Sequence, residues 1–270
     1  MRYILVMLTL ISCTQETQHN QGLQKEDSVA VVQTSSPQAA ISTTFQESDF
    51  NYLPTSTTGI IVKHKNYTLS FSEKFEQAEW VAYEITSTEA AGEYERKGSF
   101  RMDELVETET AHDSDYKGSG YDRGHLAPAA DLRFTEEAMY ESFYFSNISP
   151  QTPAFNRGIW KKLEGQVRSW ASEYDTLYVI TGGILEEGLP TIGENEVAVP
   201  KYFYKIVFDV SGSDIKSIAY LMPNMASDEE LEYYIVSVDR LEELTGIDFF
   251  PALPDSLEDK LEEKSTPDLW

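Results

Sequence analysis

The chain has 270 residues, 46 of them acidic and 21 basic, with a formal charge of −25, 41% hydrophobic residues and a single cysteine. That length supplies one sizeable packed domain with room for a tail. The charge excludes a broadly basic surface of the kind that holds nucleic acid tightly, and a lone cysteine excludes an intrachain disulfide.

The chain opens with MRYILVMLTLISC, one positive charge at Arg2 followed by an apolar run from Ile4 to Ile11. The run is well short of the roughly 20 residues of a membrane-spanning helix. It fits the hydrophobic region of an export signal. Its end, Leu10-Ile11-Ser12-Cys13, resembles a bacterial lipoprotein box, in which the cysteine becomes the lipid-modified N-terminus; an ordinary signal peptide is the alternative. The expectation is an exported protein held at a membrane of the cell envelope through Cys13. From Thr14 to Pro54 the chain is rich in Gln, Ser and Thr with little apolar periodicity, a composition that reads as a tether. A flexible chain of that length has a root-mean-square span of ~35 Å. The expected division is residues 1–13 signal, 14–54 tether, 55–254 folded domain and 255–270 acidic tail.

From Gly59 the texture changes. IIVKHKNYTLSF, AEWVAYEIT, DTLYVITGGIL, AVPKYFYKIVFDV and IKSIAYLMPN are rich in β-branched and aromatic residues and read as strands. Between the second and third lies FNRGIWKKLEGQVRSWASEY. There Phe155, Ile159, Leu163, Val167 and Trp170 recur at helical spacing and predict one amphipathic helix. A short helix closing at Gly246 follows the last strand. Antiparallel strands with inserted helices make an α+β domain.

The chemistry concentrates in YDRGHLAPAAD. On an extended backbone Arg123 and His125 point to the same face, and Gly124 between them reads as room for a substrate to approach. A guanidinium is a permanently charged fork for phosphate oxygens. A neutral imidazole can take a proton from water. The alternative for the pair is an arginine bound to Asp122 or Asp131 beside a core histidine. On the helix, Asn156, Trp160 and Glu164 are spaced by four and form one stripe. An asparagine and a glutamate there can reach a shared magnesium ion, which keeps several waters and needs few protein ligands. Asn147 sits in the preceding turn-forming SNISPQTPAFN. His19, His64 and His112 read as solvated or structural.

DRGHLAPAAD and SNISPQTPAFNRGIWKKLE, followed in order by YVITGG, VPKYFYKIV, AYLMPN and LEELTGIDFFPAL, closely resemble the non-specific DNA/RNA endonucleases, the group that includes endonuclease G. The resemblance covers about Leu53 to Leu253. It implies a ββα-metal nuclease fold, a central mostly antiparallel sheet with flanking helices, acting on DNA and RNA with one Mg2+, Mn2+ or other divalent ion. It implies His125 as the general base, Asn156 as the direct metal ligand, Glu164 acting on the ion's water shell, Asn147 orienting His125 or nearby groups, and Arg123 on the scissile phosphate. RKGSFRMD matches the family's upstream R-x-x-x-F-x-x-D, so Arg96 is the second phosphate-binding candidate, with Arg101 as its rival. Gly182-Gly183 departs from the family's usual Gly-Pro. A homodimer and an inhibitor protein are partners that the sequence leaves open.

The acids are unevenly spread. Residues 227–270 hold 14 acidic and three basic residues, whereas residues 122–168 hold six Arg or Lys against six acids. A near-neutral candidate site permits local phosphate binding and predicts little long-range steering.

Overall fold

The computed structural model describes residues 51–210, 215–263 and 270. Cys13 and the signal and tether up to residue 50 lie outside the described residues.

A seven-stranded sheet organises the domain: β1 (Ile60–Lys63), β2 (Thr68–Ser72), β3 (Gln77–Thr86), β6 (Thr176–Gly183), β9 (Tyr202–Asp209), β10 (Lys216–Pro223) and β11 (Ile235–Val236), in that spatial order. Every neighbouring pair is antiparallel. Two minor ribbons stand apart from it, β4 (Asp122–His125) with β5 (Ile148–Gln151), and β7 (Thr191–Ile192) with β8 (Val197–Ala198). Short helices α1 (Ser87–Ala90), α2 (Asp113–Tyr116) and α3 (Glu136–Glu141) fill connections.

Both faces of the sheet are covered, and the strands are therefore apolar on both sides rather than alternating with polar residues. In β3, Val81, Tyr83 and Ile85 enter one core while Trp80 and Ala82 enter the other. In β9, Phe203 and Val207 enter the first and Tyr204, Ile206 and Phe208 the second. The first core is closed by helix α5 (Lys161–Tyr174) through Leu163, Val167 and Trp170. The second is closed by α6 (Val238–Thr245) and α7 (Asp255–Glu262). Helix α6 starts where Ser237 accepts a hydrogen bond from Arg240 N and stops at Gly246, whose φ of 71° is the left-handed cap that favours glycine.

Three expectations are corrected here. IIVKHKNYTLSF is a hairpin of two strands, because residues 64–67 turn between them, with His64 N donating to Tyr67 O. The single amphipathic helix is broken. A short α4 (Pro153–Phe155), begun by Thr152 and Pro153, leads into a π turn over Asn156–Trp160 before α5 starts. Gly158 within that turn has φ −104° and ψ −114°, outside the helical region. Finally, the segment expected as an acidic tail is docked. Leu261 is buried in the second core, Ser217 Oγ donates to Leu261 O at 2.6 Å, and Trp270 packs on Trp170 and Tyr174. The tether's last residues also pack, with Tyr52 and Leu53 against the second core. Short-range composition registers the acids in these segments but not the leucines that anchor them.

Candidate active site

β4, β5 and the α4–α5 run form a ββα unit on the first-core side of the sheet. β4 and β5 pair with His125 opposite Ile148 and Arg123 opposite Pro150. The helix then carries Asn156 and Glu164 alongside the strand. Between strand and helix opens a cleft of about 390 Å³. It is lined by Arg96, Arg123, His125, Asn156, Arg157, Lys161, Glu164 and Arg168, with Pro128 to Ala130 at one end.

His125 is 8% exposed, its ring held between Phe100 (5.6 Å between centroids) and Phe143 (5.4 Å). Its Nε2 is buried and has no hydrogen-bond partner among the described residues. Burial, and then the positive charge of Arg96, push its pKa down to about 3, so the imidazole is neutral at physiological pH. Arg123 shares that face, its guanidinium 5.5 Å from the rings of both Phe100 and Tyr116. Its Nη2 is bound to Asp113 Oδ1 at 2.7 Å and its Nε is buried without a partner. The acid that holds Arg123 is thus Asp113, not Asp122 or Asp131.

Gly124 needs a different explanation from substrate approach. It points away from the Arg123–His125 face, and a Cβ there would lie 2.2 Å from the Gln151 side chain. The glycine makes room for the neighbouring strand of the ribbon.

Asp122 receives Arg157 in a two-bonded fork, at 2.6 and 2.7 Å, and also accepts from Asn156 Nδ2 at 2.9 Å. That bond orients the Asn156 amide and leaves its Oδ1 without a protein partner among the described residues. Glu164 lies half-buried on α5. Burial raises its pKa; the opposing influence is chiefly Lys205. Trp160, expected on the same stripe, is fully buried. The π turn changes the phase between Asn156 and α5, so the indole enters the core while the two polar residues meet at the cleft.

Asn147 does not line the cleft. It is buried and holds the chain that leaves β4: its Oδ1 accepts from Ala127 N at 2.8 Å, and its Nδ2 donates to Ala127 O and Ser142 O at 2.9 and 3.0 Å. Leu126 N donates to Asn147 O at 2.9 Å. Its influence on His125 passes through the two residues that follow it. Of the two upstream arginines, Arg96 lines the cleft, whereas Arg101 folds back on Ser99 O with its guanidinium 3.4 Å from the Tyr140 ring. His64, read as solvated or structural, has a buried side chain paired with Asp103, with Nε2 and Oδ2 2.8 Å apart.

Four cleft groups were not singled out from the sequence. Arg157, Lys161 and Arg168 line it, and Lys205 lies behind it. Arg168 stands four residues after Glu164, a spacing that puts both on one helix face and was readable. It is bound to buried Asp131 at 2.6 Å, which also accepts from Tyr83 OH at 2.7 Å. Lys205 is 1% exposed on β9, between Phe203 and Val207 on the first-core face. Its Nζ is 3.5 Å from Leu126 O and 4.9 Å from the Trp160 ring centroid. Burial lowers its pKa, and Glu164 and then Asp131 oppose the shift. A lysine inside an aromatic, β-branched strand is the kind of residue that function retains, and KYFYKIVF showed it.

A ββα unit that presents a neutral histidine, an asparagine oxygen and a row of cations to one cleft matches known proteins. Residues 46–256 match the model of the DNA/RNA non-specific endonucleases. The chain belongs to that family. Its members are hydrolytic nucleases that depend on a divalent metal, and the fold is the ββα-metal fold. The chain is 38% identical over 207 residues to the mitochondrial nuclease EXOG of Danio rerio, a match covering 70% of this chain and 60% of that one. It is 35% identical over 205 residues to mitochondrial endonuclease G of Homo sapiens, covering 69% and 68%. A nuclease of Nostoc sp. is 37% identical over 217 residues, covering 76% and 78%. Among solved structures, the crystal structure of the EndoG/EndoGI complex superposes with a TM-score of 0.69 at 32% identity, covering 74% of this chain and 89% of that one.

Proposed function

We propose that this chain is an endonuclease that hydrolyses phosphodiester bonds of both DNA and RNA in the 122–168 cleft, with His125 as general base. One observation carries the reading: within a protein of net charge −25, a single cleft gathers Arg96, Arg123, Arg157, Lys161 and Arg168 around a neutral histidine. Arg123 and Arg96 hold the scissile phosphate and offset the charge that develops on its oxygens. A water attacks phosphorus and gives its proton to His125, and the P–O3′ bond breaks, the departing 3′-oxygen taking a proton from solvent. The products are a 3′-hydroxyl and a 5′-phosphate. Asn147 keeps the backbone after His125 in place, so the ring stays where the water must be.

The residues present fit one divalent ion. Asn156 offers an amide oxygen with no protein partner among the described residues, and Glu164 a carboxylate lining the same cleft. Both are hard oxygen donors of the kind magnesium or manganese takes. When bound, the ion supplies positive charge opposite the phosphate in the transition state.

Plasmid nicking by the full chain, with magnesium, with chelator and with His125→Ala, tests the reading. Nicking that needs the metal and disappears in the variant supports it. A folded wild type that cleaves neither plasmid nor RNA under any metal sinks it and favours a non-catalytic protein that uses the same fold to bind a partner, or an enzyme for another diester. Membrane anchorage through Cys13 belongs to the same proposal and rests on Leu10 to Cys13 and on there being no second cysteine. Fatty-acid labelling that persists in Cys13→Ala would rule it out.

A further inference from the structure

Lys205 is a cation that the chemistry of the cleft leaves unused. It is 1% exposed on β9 and makes no ion pair among the described residues. Burying an ammonium is unfavourable unless polar groups meet it, whereas a methionine of similar length would fill the strand without that cost.

What the ammonium meets is the chain just after His125. Leu126 N donates to Asn147 O at 2.9 Å, Ala127 N to Asn147 Oδ1 at 2.8 Å, and Asn147 Nδ2 to Ala127 O at 2.9 Å. Asn147 thus takes three of the four backbone polar groups of Leu126 and Ala127, both fully buried. The fourth is Leu126 O, and Lys205 Nζ lies 3.5 Å from it. A carbonyl buried there needs a donor, and β9 brings one. On its other side the ammonium lies 4.9 Å from the Trp160 ring centroid and 6.0 Å from that of Tyr83, distances at which a ring attracts a cation. Trp160 stands four residues after Asn156 and four before Glu164. One side chain therefore bridges the strand exit that follows the base and the helical run that carries the two candidate metal donors.

We propose that Lys205 is a positioning residue for the nuclease reaction, pinning Leu126 behind His125 and fixing the spacing between that strand and the Asn156–Glu164 helix. Its consequence for rate rests on the nuclease reading above; its effect on the His125 ring does not. Phe100 and Phe143 flank the imidazole, but Nε2 has no hydrogen bond of its own, so the backbone beyond the ring decides where it points. Removing the fourth anchor lets the strand exit shift, and a misplacement of about 1 Å between reacting groups costs about 10²-fold in rate. Arg96 and Arg123 hold the phosphate from elsewhere in the cleft, so affinity for substrate stays.

The experiment compares the full chain with Lys205→Met, both labelled with 13C in the histidine rings. Imidazole signals are followed by NMR beside steady-state cleavage of a DNA duplex in magnesium. His125→Ala assigns the His125 signal, and the signal of His64, paired with Asp103, serves as a control for the fold. In Lys205→Met the His125 signal moves or broadens while that of His64 stays. Its kcat falls by about 30-fold and its KM stays within about twofold of wild type. Asn147→Ser combined with Lys205→Met loses less than the product of the two single losses, since both anchors hold the same peptide groups. A His125 signal that superimposes on wild type overturns the inference, whether or not wild type cleaves nucleic acid. So does a kcat within about threefold of wild type, a loss carried by KM alone, or single losses that multiply in the double variant. Where Lys205→Met does not fold, Lys205→Gln, whose amide ends one bond short of Leu126 O, is read in its place. A wild type without nuclease activity sinks the proposed function and leaves the ring signal to decide the clamp.

Discussion

The two faces of the central sheet handle charge in opposite ways. On the first-core face, acids and bases are matched: Asp122 with Arg157, Asp113 with Arg123 and Asp131 with Arg168. Each acid holds an arginine at the rim of the cleft, and Arg96 and Lys161 remain without an ion pair among the described residues. On the second-core face, Asp239, Glu242 and Glu262 bring their carboxylates within 4.8 Å of one another, with no ion pair to a base among the described residues. Residues 227–270 carry −11 of the net −25, whereas residues 122–168 are balanced. Because charges are screened beyond ~8–10 Å, a surplus of acids on one face does not stop the other from receiving a phosphate.

If cleavage resides on the cationic face, His125→Ala lowers the plasmid nicking rate by about 10³-fold, while circular dichroism shows an unchanged fold. A loss below tenfold breaks the comparison at its centre. The same residue sets an acid limit on stability. Its folded pKa, about 3, lies below the unfolded 6.5, so between those values the unfolded chain binds a proton that the native state refuses. Stability from this group is therefore whole above pH 6.5, falls as the pH drops towards 3, and levels off below it. Urea titrations of wild type and His125→Ala across that window show a shallower acid loss in the variant, by a few kcal/mol at the lower end. Next in size, Arg123→Ala lowers cleavage by about 10²-fold. Arg123→Lys recovers only part of that, since an ammonium cannot present a fork to two phosphate oxygens; full recovery would show that only charge matters there.

Gly124→Ala forces the Gln151 side chain to move and lowers stability by about 1–3 kcal/mol, read as a shifted urea midpoint with an unchanged slope. The smallest effect sharpens the comparison most. With three of the cleft arginines already holding acids, binding to a DNA duplex in chelator weakens with salt along a slope of about −2 in log K against log[salt]. A slope of about −4.5 would mean that Asp113, Asp122 and Asp131 let go of their arginines when DNA arrives.

The site was legible where local rules govern it. Arg123 and His125 share a face because an extended strand alternates, and β4 is extended. Asn156 and Glu164 reach one cleft, but through a π turn at Gly158 that apolar periodicity does not reveal, since buried residues recur at nearly the same spacing on either side of it. Asn147 was readable as a turn residue. That its amide holds Ala127 and Ser142 depends on a chain that returns from a distance. Lys205 lies 80 residues beyond His125 along the sequence, and only the pairing of β6 with β9 brings it behind the cleft.

The sequence by itself determined the main strands of the central sheet, the amphipathic run of α5, the family, and Arg96, Arg123 and His125 as the groups offered to phosphate and water. Each of these follows from spacing along a few residues or from a motif read in order. Tertiary structure alone decided which acid holds which arginine, which histidine has a carboxylate partner, that α7 and Trp270 dock instead of trailing, and that three carboxylates from two helices meet at one point. Charge pairing depends on distance in space, and a chain that crosses a seven-stranded sheet brings together residues whose separation in sequence carries no trace of the contact.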